Sequence, residues 1–586
     1  MILNFIFAFV ACGTMLFTSC TNTKSVISSY EIQDLQLLKT YQDEPGLIST
    51  INYTQTHMGG AYFQEQLLNP LTALNDLQER QKNIQELLNN QAIAANLTQK
   101  LALFAQYEKG ISFFASADNM IGSTIINSYY FQNRYLTWLN KYPAGLELGQ
   151  ALHLANLFAP LIEHAVIHFL ISEKLHDYLG MCCHHNHCSH HHHDHHHNHG
   201  PSTGAVFAYR AYNVAHTLIH LMGLKGLIDL VSEQAQVIKA MQAQLMHVAR
   251  CLEIAHDIVN IVQEQQLALT HSQSFEQLES LFDQDNSSCS PELQEFLALI
   301  QSNTFKGDPS IFSRPGITLR AYALAKTVYP ELKEKLSAVA LVDFYLAVAH
   351  LYQLPQPEKA AWSFAQYDNQ PSAHIAIEGF WNPLLPDSQP IDQILTFGLP
   401  NPSIAIITGP NKAGKSTSLN ALALSVLLGQ TLGIVPAKTC IFTPFTTIAT
   451  GFNMNNRVTA GQSLFSTSLV FAQELLKCAN KQHERVFIAV DELFNSTEYQ
   501  QGSLIAHRFV QALAASMRNN CIALIATHFT NLTELEKEDP KMYKNYKAEL
   551  VTNRGSCNYI LEPGLSNPEA VLQLIEDNDF LKILKD

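Results

Sequence analysis

The chain has 586 residues, 47% of them hydrophobic, with 36 Lys and Arg against 51 Asp and Glu and a formal net charge of −15. That length suffices for several domains with their own cores. The acidic balance excludes a broadly basic protein that coats nucleic acid, but not a local basic contact, because affinity follows the phosphate contacts made. The 11 cysteines are scattered and set out no disulfide framework.

In chain order, the first segment is residues 1–24, which carries no charged side chain before Lys24. Phe5 to Ala11 has the apolar character of a signal-peptide core, and Leu16-Phe17-Thr18-Ser19-Cys20 has small residues before a Cys, as a lipoprotein cleavage box does. The positive leader of a signal peptide is missing, and the run is short for a spanning helix. Three readings stay open: a start placed too early on a cytoplasmic protein, a membrane anchor with the remainder facing the cytoplasm, and export.

Residues 35–370 are mostly helical in pattern. Met58-Gly59 opens a helix, Pro70 interrupts the chain after it, and Leu74 to Leu88 has apolar residues at helical spacing. Ala151 to Leu179 and Ala205 to Glu264 are long apolar-periodic helices. Between them, residues 182–199 hold Cys182, Cys183, His184, His185, His187 and Cys188, followed by eight further His. Imidazole and thiolate suit Zn²⁺ or Ni²⁺, but the low-complexity pattern supports weak multi-ion binding or an expanded loop, not one defined site. Residues 270–292 are polar and read as a loop. Pro355 and Pro357 end the helical region and lead into a second domain over 371–586.

That domain carries the most specific motif. Gly409-Pro410-Asn411-Lys412-Ala413-Gly414-Lys415-Ser416 fits G-x-x-x-x-G-K-[ST] and runs on into Thr417. Ile404 to Ile407 reads as a buried strand before it, and Ser418 to Leu428 as a helix after it. The loop therefore ends at a helix N-terminus, where free N–H groups and the helix dipole attract an anion. Lys415 is expected to reach the β- and γ-phosphates of ATP, and Ser416 to hold Mg²⁺.

Val486 to Val490 is a continuous apolar run, as a central parallel strand should be, and it ends in Asp491-Glu492. Asp491 is placed to hold Mg²⁺ through water, and Glu492 to polarise an attacking water. A third strand, Cys521 to Ala526, ends in Thr527-His528, where His528 can sense the γ-phosphate. Tyr546 to Leu561 reads as edge strands, and short helices follow from Asn567.

The set TGPNKAGKST, AVDEL and IATHFTNLTEL resembles the ATPase domain of the MutS family of DNA mismatch repair proteins. Leu47-Ile48, Thr54 to Gly59, Leu68-Asn69-Pro70-Leu71 and Glu79-Arg80-Gln81 resemble the start of that family's core domain. The resemblance implies an α plus α/β architecture: a helical core and lever domain followed by an ABC-type P-loop ATPase domain. It also implies an ATPase that pairs as a homodimer and grips mismatched or branched DNA. Ala460 to Phe465 resembles the family's G-x-S-T-F segment, which implies that Ser463 reaches the nucleotide of the opposite subunit. Gly379 to Pro383 resembles the segment before the first ATPase strand, where Phe380 or Trp381 either stacks on adenine or packs in the core.

The departures are local. Lys412-Ala413 stands where most members have Met-Gly or a similar pair. Phe494-Asn495-Ser496-Thr497 replaces a Gly-Arg-Gly-Thr turn, and Leu464 replaces a hydroxyl residue. The core-like segment begins near residue 35, which leaves no room for a mismatch-reading domain before it. Phe63-Gln64-Glu65 matches the wedge tripeptide of mismatch readers but falls on the predicted core helix, so packing is its expected role.

Overall fold

The structure is a computed structural model that describes residues 25–39, 45–115, 129–184, 203–283, 288–307, 314–354, 360–385, 390–410, 413–458, 463–481, 484–517, 520–553 and 556–566. The signal-like segment 1–24, most of the His-rich loop 182–199 and the helices expected from Asn567 lie outside these residues or have no described side chains.

In chain order the helices before the sheets are α1 (Ser29–Asp34), α2 (Leu47–Ile51), α3 (His57–Leu68), α4 (Leu74–Asn89), α5 (Gln91–Tyr107), α6 (Lys109–Phe113), α7 (Pro143–His184), α8 (Thr203–Glu264), α9 (Gln273–Glu279), α10 (Pro291–Ile300), α11 (Pro315–Lys335) and α12 (Ser337–Gln353). Twelve strands follow: β1 (Ser363–Phe364), β2 (Gln366–Tyr367), β3 (Ile375–Phe380), β4 (Ile391–Phe397), β5 (Ile404–Thr408), β6 (Ile434–Val435), β7 (Thr439–Phe442), β8 (Thr447–Gly451), β9 (Val486–Asp491), β10 (Cys521–Ala526), β11 (Tyr543–Asn553) and β12 (Ser556–Pro563). Interleaved with them are α13 (Lys415–Thr431), α14 (Leu464–Ala479), α15 (Tyr499–Ser516) and α16 (Leu535–Glu538). The helical first part and mixed sheets agree with the expected α plus α/β class.

Contacts group the chain into two compact units. One takes in the chain up to Thr98, Leu267–Leu269 and everything from Ala340; the other takes in Gln99–Gln266 and Thr270–Val339. This grouping differs from the division at residue 370 suggested by sequence, because the first helices pack with the sheets.

The first unit is built on a six-stranded sheet of order β12-β11-β5-β10-β9-β8. Strands β11, β5, β10, β9 and β8 run parallel, and β12 closes one edge antiparallel to β11. β12 is thus the edge strand expected near the C-terminus, whereas β11 is interior. Ile404, Ile406, Val486, Ile488, Val490, Ala523 and Ile525 belong to one buried cluster that also takes Phe471 and Phe509 from helices. Strands buried on both faces need no alternation, which is why they appear in the sequence as unbroken apolar runs.

The N-terminal segment is tied to this unit by polar groups. The Ile448 N–H donates to the Val26 carbonyl at 3.0 Å, which pairs part of the edge strand β8. Arg457 donates to Glu31 at 2.8 Å, both side chains being 7% exposed, and lies 4.0 Å from the Phe471 ring centroid. Asp34 accepts from the Thr450 hydroxyl and the Phe452 N–H, both at 3.2 Å.

The Thr54 to Gly59 segment is explained by one carboxylate. Asp343 accepts from the Gln55 and Thr56 N–H groups at 2.9 and 2.8 Å and from the Thr56 hydroxyl at 2.7 Å. Thr56 in turn caps α3 by accepting from the Gly59 N–H at 2.8 Å. A Cβ at Gly59 would lie 2.1 Å from Asp343 Oδ2. Phe63 is fully buried on α3, 5.6 Å from the Phe344 ring, so it packs as expected and is no exposed wedge. On α4, Arg80 is buried and donates to the Thr431 carbonyl at the end of α13.

The second unit is helical. Ser272 caps α9, and Phe275 and Leu278 bury one face of it. The stretch expected to be a loop over 270–292 therefore contains a helix; an i, i+3 apolar pair among polar residues is too short a pattern to register in the sequence. The long helices expected at 151–179 and 205–264 are α7, which extends further at both ends, and α8, which starts two residues earlier. They run antiparallel: His153 lies 3.0 Å from Gln234, and a Cβ at Gly223 would touch Leu161 at 3.3 Å. Met241, Leu245, Val248, Ile258 and Val262 on α8 are buried. By contrast Ile162, Val166, Phe169, Val214, Leu218, Leu221 and Met222 are exposed. Among the described residues, three helical stretches are long and apolar enough to cross a membrane, by length and composition. Pro143–Ile171 has none of its apolar window buried, Phe207–Glu264 has 11%, and Pro315–Gln353 has 78%.

Candidate functional site

The site forms where three adjacent parallel strands, β5, β10 and β9, reach their C-terminal ends. Strand β5 ends at Thr408 and α13 starts at Lys415, so residues 409–414 form a strand-to-helix loop. Gly414 has φ +91, a left-handed conformation that suits glycine and turns the chain into the helix. Gly409 lies against β11, and a Cβ there would come within 2.6 Å of the Ala548 carbonyl oxygen. Asn411 and Lys412 lie outside the described residues. Pro410 and Thr417 are half-buried, Ala413 is buried and Ser416 is exposed.

Lys415 is 5% exposed. Its Nζ donates to the Gly409 and Pro410 carbonyls at 3.0 and 3.2 Å and lies 3.5 Å from His528 Nε2. Burial pushes its pKa below the usual lysine range, against the opposing pull of Glu492 and Asp491. The ammonium thus curls back under its own loop and neutralises carbonyl dipoles.

The Ser416 hydroxyl donates to Asp491 Oδ2. The other oxygen, Oδ1, is buried and has no hydrogen-bond partner. Burial raises the Asp491 pKa above the usual carboxylate range, while the Ser416 hydroxyl opposes it. An orphaned carboxylate oxygen beside a hydroxyl is an oxygen donor set suited to Mg²⁺, which takes few protein ligands and keeps waters. The residues present fit that ion.

Glu492 has φ +53 and Phe494 has φ +72. Left-handed backbone at non-glycine residues is strained by roughly 1–2 kcal/mol each. The Glu492 N–H donates to the Ala526 carbonyl at 3.0 Å, fixing the strand end. The strain aims the Glu492 carboxylate at its neighbours: Oε1 lies 2.6 Å from His528 Nε2, and Oε2 accepts from Asn495 Nδ2 at 2.9 Å. His528 Nε2 thus faces the Glu492 carboxylate on one side and the Lys415 ammonium on the other. Phe494 stands where the resembling family has glycine. It keeps the positive φ and compensates by burying its ring, 1% exposed, edge-on to Phe509 at 5.9 Å.

The structure therefore brings together Gly409, Lys415, Ser416, Asp491, Glu492 and His528. It does not join Ser463 to them. Ser463 is exposed and caps α14, accepting from the Ser466 N–H at 3.1 Å. Phe380 is fully buried, and Trp381 is 7% exposed with its indole N–H donating to the Ala361 carbonyl at 3.1 Å; of the two readings for these rings, core packing is the one observed. Sequence reasoning missed Asn495, whose role depends on a turn no glycine announces.

Comparison with known proteins finds two matching family domains. Residues 405–570 match MutS domain V, and residues 32–354 match MutS domain III. The chain belongs to the MutS family. It is 30% identical over 210 residues to the DNA mismatch repair protein MSH3 of Pyricularia oryzae, covering 35% of this chain and 18% of that protein. It is 29% identical over 230 residues to the DNA mismatch repair protein MutS of Thermotoga petrophila, covering 39% of this chain and 27% of that protein. A third relative, the DNA mismatch repair protein MutS of Chloroflexus aurantiacus, is 34% identical over 163 residues, 28% of this chain and 16% of its own length. The matched stretch is thus about a quarter or less of each relative.

Proposed function

We propose that the chain binds and hydrolyses ATP at the 409–417 loop and couples turnover to DNA in the manner of mismatch repair ATPases. The observation that carries the reading is the convergence of Lys415, Ser416, Asp491, Glu492 and His528 at the ends of three neighbouring strands, with one Asp491 oxygen buried and unpaired. Triphosphate oxygens would replace the Gly409 and Pro410 carbonyls as partners of Lys415, while the α13 N-terminus faces the same charge. Ser416 and Asp491 would hold Mg²⁺, which supplies charge neutralisation on the phosphates. Glu492 would orient the attacking water and take its proton, and His528, held by Glu492, would report the terminal phosphate.

In this reading two copies pair through their ATPase domains, Ser463 enters the partner's site, and the long helices carry the motion to a clamp on mismatched or branched DNA in the cytoplasm. The test is ATP hydrolysis by the purified chain with no DNA and with matched, mismatched and branched duplexes, Lys415→Ala serving as blank. DNA-stimulated turnover supports the reading. Turnover indifferent to every DNA removes the clamp.

A second reading, an ATP-gated scaffold working at a lipid bilayer, is favoured by the apolar window of α7, of which nothing is buried. A soluble protein rarely leaves so large an apolar face to water, and the stretch is long enough for a hydrocarbon core. Flotation of the chain with phospholipid vesicles, lost when that face is made polar, distinguishes it.

A further inference from the structure

The α7/α8 hairpin carries a group of side chains that neither the ATPase reading nor the family relationship uses. His164 and His168 lie one turn apart on α7, and His216 and His220 one turn apart on α8. Spacing of i, i+4 puts each pair on one face of its helix, and the antiparallel helices set the two faces against each other. Ring centroids of His164 lie 4.9 Å from His216 and 5.2 Å from His220, and those of His216 and His220 are 4.5 Å apart. His168 stacks on His216 at 3.7 Å.

These imidazoles crowd against one another and against Tyr212, whose ring lies 5.8 Å from His168 and 5.6 Å from His216. His216 is buried at 7% exposure, and His168 Nε2 is a buried nitrogen without a hydrogen-bond partner. Ring nitrogens buried in this way lower the stability of the hairpin unless something satisfies their lone pairs.

We propose that His164, His216 and His220 form a binding site for a divalent transition-metal ion, with His168 holding the plane of His216. One ligand nitrogen from each of the three lies within 4.8 Å of the others. A tetrahedral Zn²⁺ with nitrogen at about 2.0–2.1 Å needs separations of roughly 3.4 Å, which small side-chain rotations supply on an exposed His164 and a half-buried His220. Three imidazoles with no carboxylate among the ligands select Zn²⁺, Ni²⁺, Cu²⁺ or Co²⁺ over Mg²⁺ and Ca²⁺. The fourth position is left to water or a rotated His168. Bound, the ion cross-links α7 to α8 across the hairpin. The site is distinct from the His-rich loop 182–199 and does not depend on nucleotide.

Zn²⁺ is the probe. The full chain is kept in detergent, with residues 182–199 replaced by a Gly/Ser segment of equal length so that the loop takes up no ion. The expected result is one Zn²⁺ per chain by competition with a chromogenic chelator, and with Co²⁺ the strong visible absorption of a four-coordinate site. H164A/H216A/H220A in the same background should weaken binding at least about 100-fold. The single substitution His164→Ala, at an exposed position that folding does not need, should weaken it at least about 10-fold with unchanged helical circular dichroism. Ligating imidazoles must be neutral, so affinity should fall as the pH is lowered. Failure of the loop-replaced chain to take up Zn²⁺, or equal affinity in the His164→Ala variant, overturns the proposal.

Discussion

The loop between β5 and α13 and the hairpin of α7 and α8 treat polar groups in opposite ways. In the loop, a buried ammonium faces two carbonyls and a buried carboxylate takes a hydroxyl on one oxygen, leaving the other open. Around it β10 is wholly buried, and β5 and β9 are buried up to their last residues. In the hairpin, Ile162, Phe169, Leu218 and Met222 face outward while imidazoles gather between the helices. A water-facing protein is expected to build the first arrangement; the second fits a surround that is itself apolar. One chain thus carries a sheet-bearing unit that covers its apolar groups and a helical pair that leaves many of them exposed.

The comparison is open to experiment, starting where the largest effect is expected. Glu31→Ala leaves Arg457 buried without its carboxylate and should lower the stability of the sheet-bearing unit by roughly 4 kcal/mol, read by denaturant unfolding. An effect below about 1 kcal/mol would mean that polar satisfaction matters less in this unit than the contrast requires.

Lys415→Ala and Glu492→Gln sharpen the same contrast at the site. The first should lower ATP binding and turnover together by about 10²–10³-fold. The second should lower turnover by about 10²-fold or more and leave ATP retention in a filter assay intact. Equal loss of binding in both would sink the separate roles given to the two residues.

A pH series isolates Asp34. Burial raises its pKa to about 6, with Arg457 opposing. The folded chain therefore holds that proton more tightly than the unfolded one. The stabilisation is fully present below about pH 4 and is lost as the pH rises through 6, a change of up to roughly 3 kcal/mol. Asp34→Asn should flatten this slope in unfolding curves taken between pH 4 and 7.

The smallest effect is expected in the hairpin. Changing Ile162, Phe169, Leu218 or Met222 to Ser should alter stability in detergent by under about 0.5 kcal/mol each. The four changes together should abolish vesicle flotation. A large loss of stability in detergent from any one of them would point instead to a protein partner packed on that face.

Much of the candidate site was legible in advance. Strands β5, β9 and β10 and helix α13 fall where continuous apolar runs and the G-x-x-x-x-G-K-S spacing put them, because strands buried on both faces and a loop that must approach phosphate tolerate few residue types. The turn after Glu492 was not legible. Phe494 holds a positive φ that glycine would signal, and only its burial against Phe509 shows why the chain tolerates it. Helix α9 was missed because two apolar residues cannot mark a helix by period alone.

The hairpin divides the same way. The length and apolar character of its helices are in the sequence, since periodicity and composition are local properties. That α8 buries Met241, Leu245, Val248, Ile258 and Val262 but exposes Val214, Leu218, Leu221 and Met222, and that four His on two helices meet, depends on which segments pack together. The sequence by itself determined the family, the nucleotide-type loop and the order of helical and sheet regions. Only the tertiary structure decided that residues 26–98 pack with the sheets, that Asp491 keeps one oxygen unpaired and that the imidazoles converge. Contacts between residues hundreds of positions apart follow from packing, and no local pattern records them.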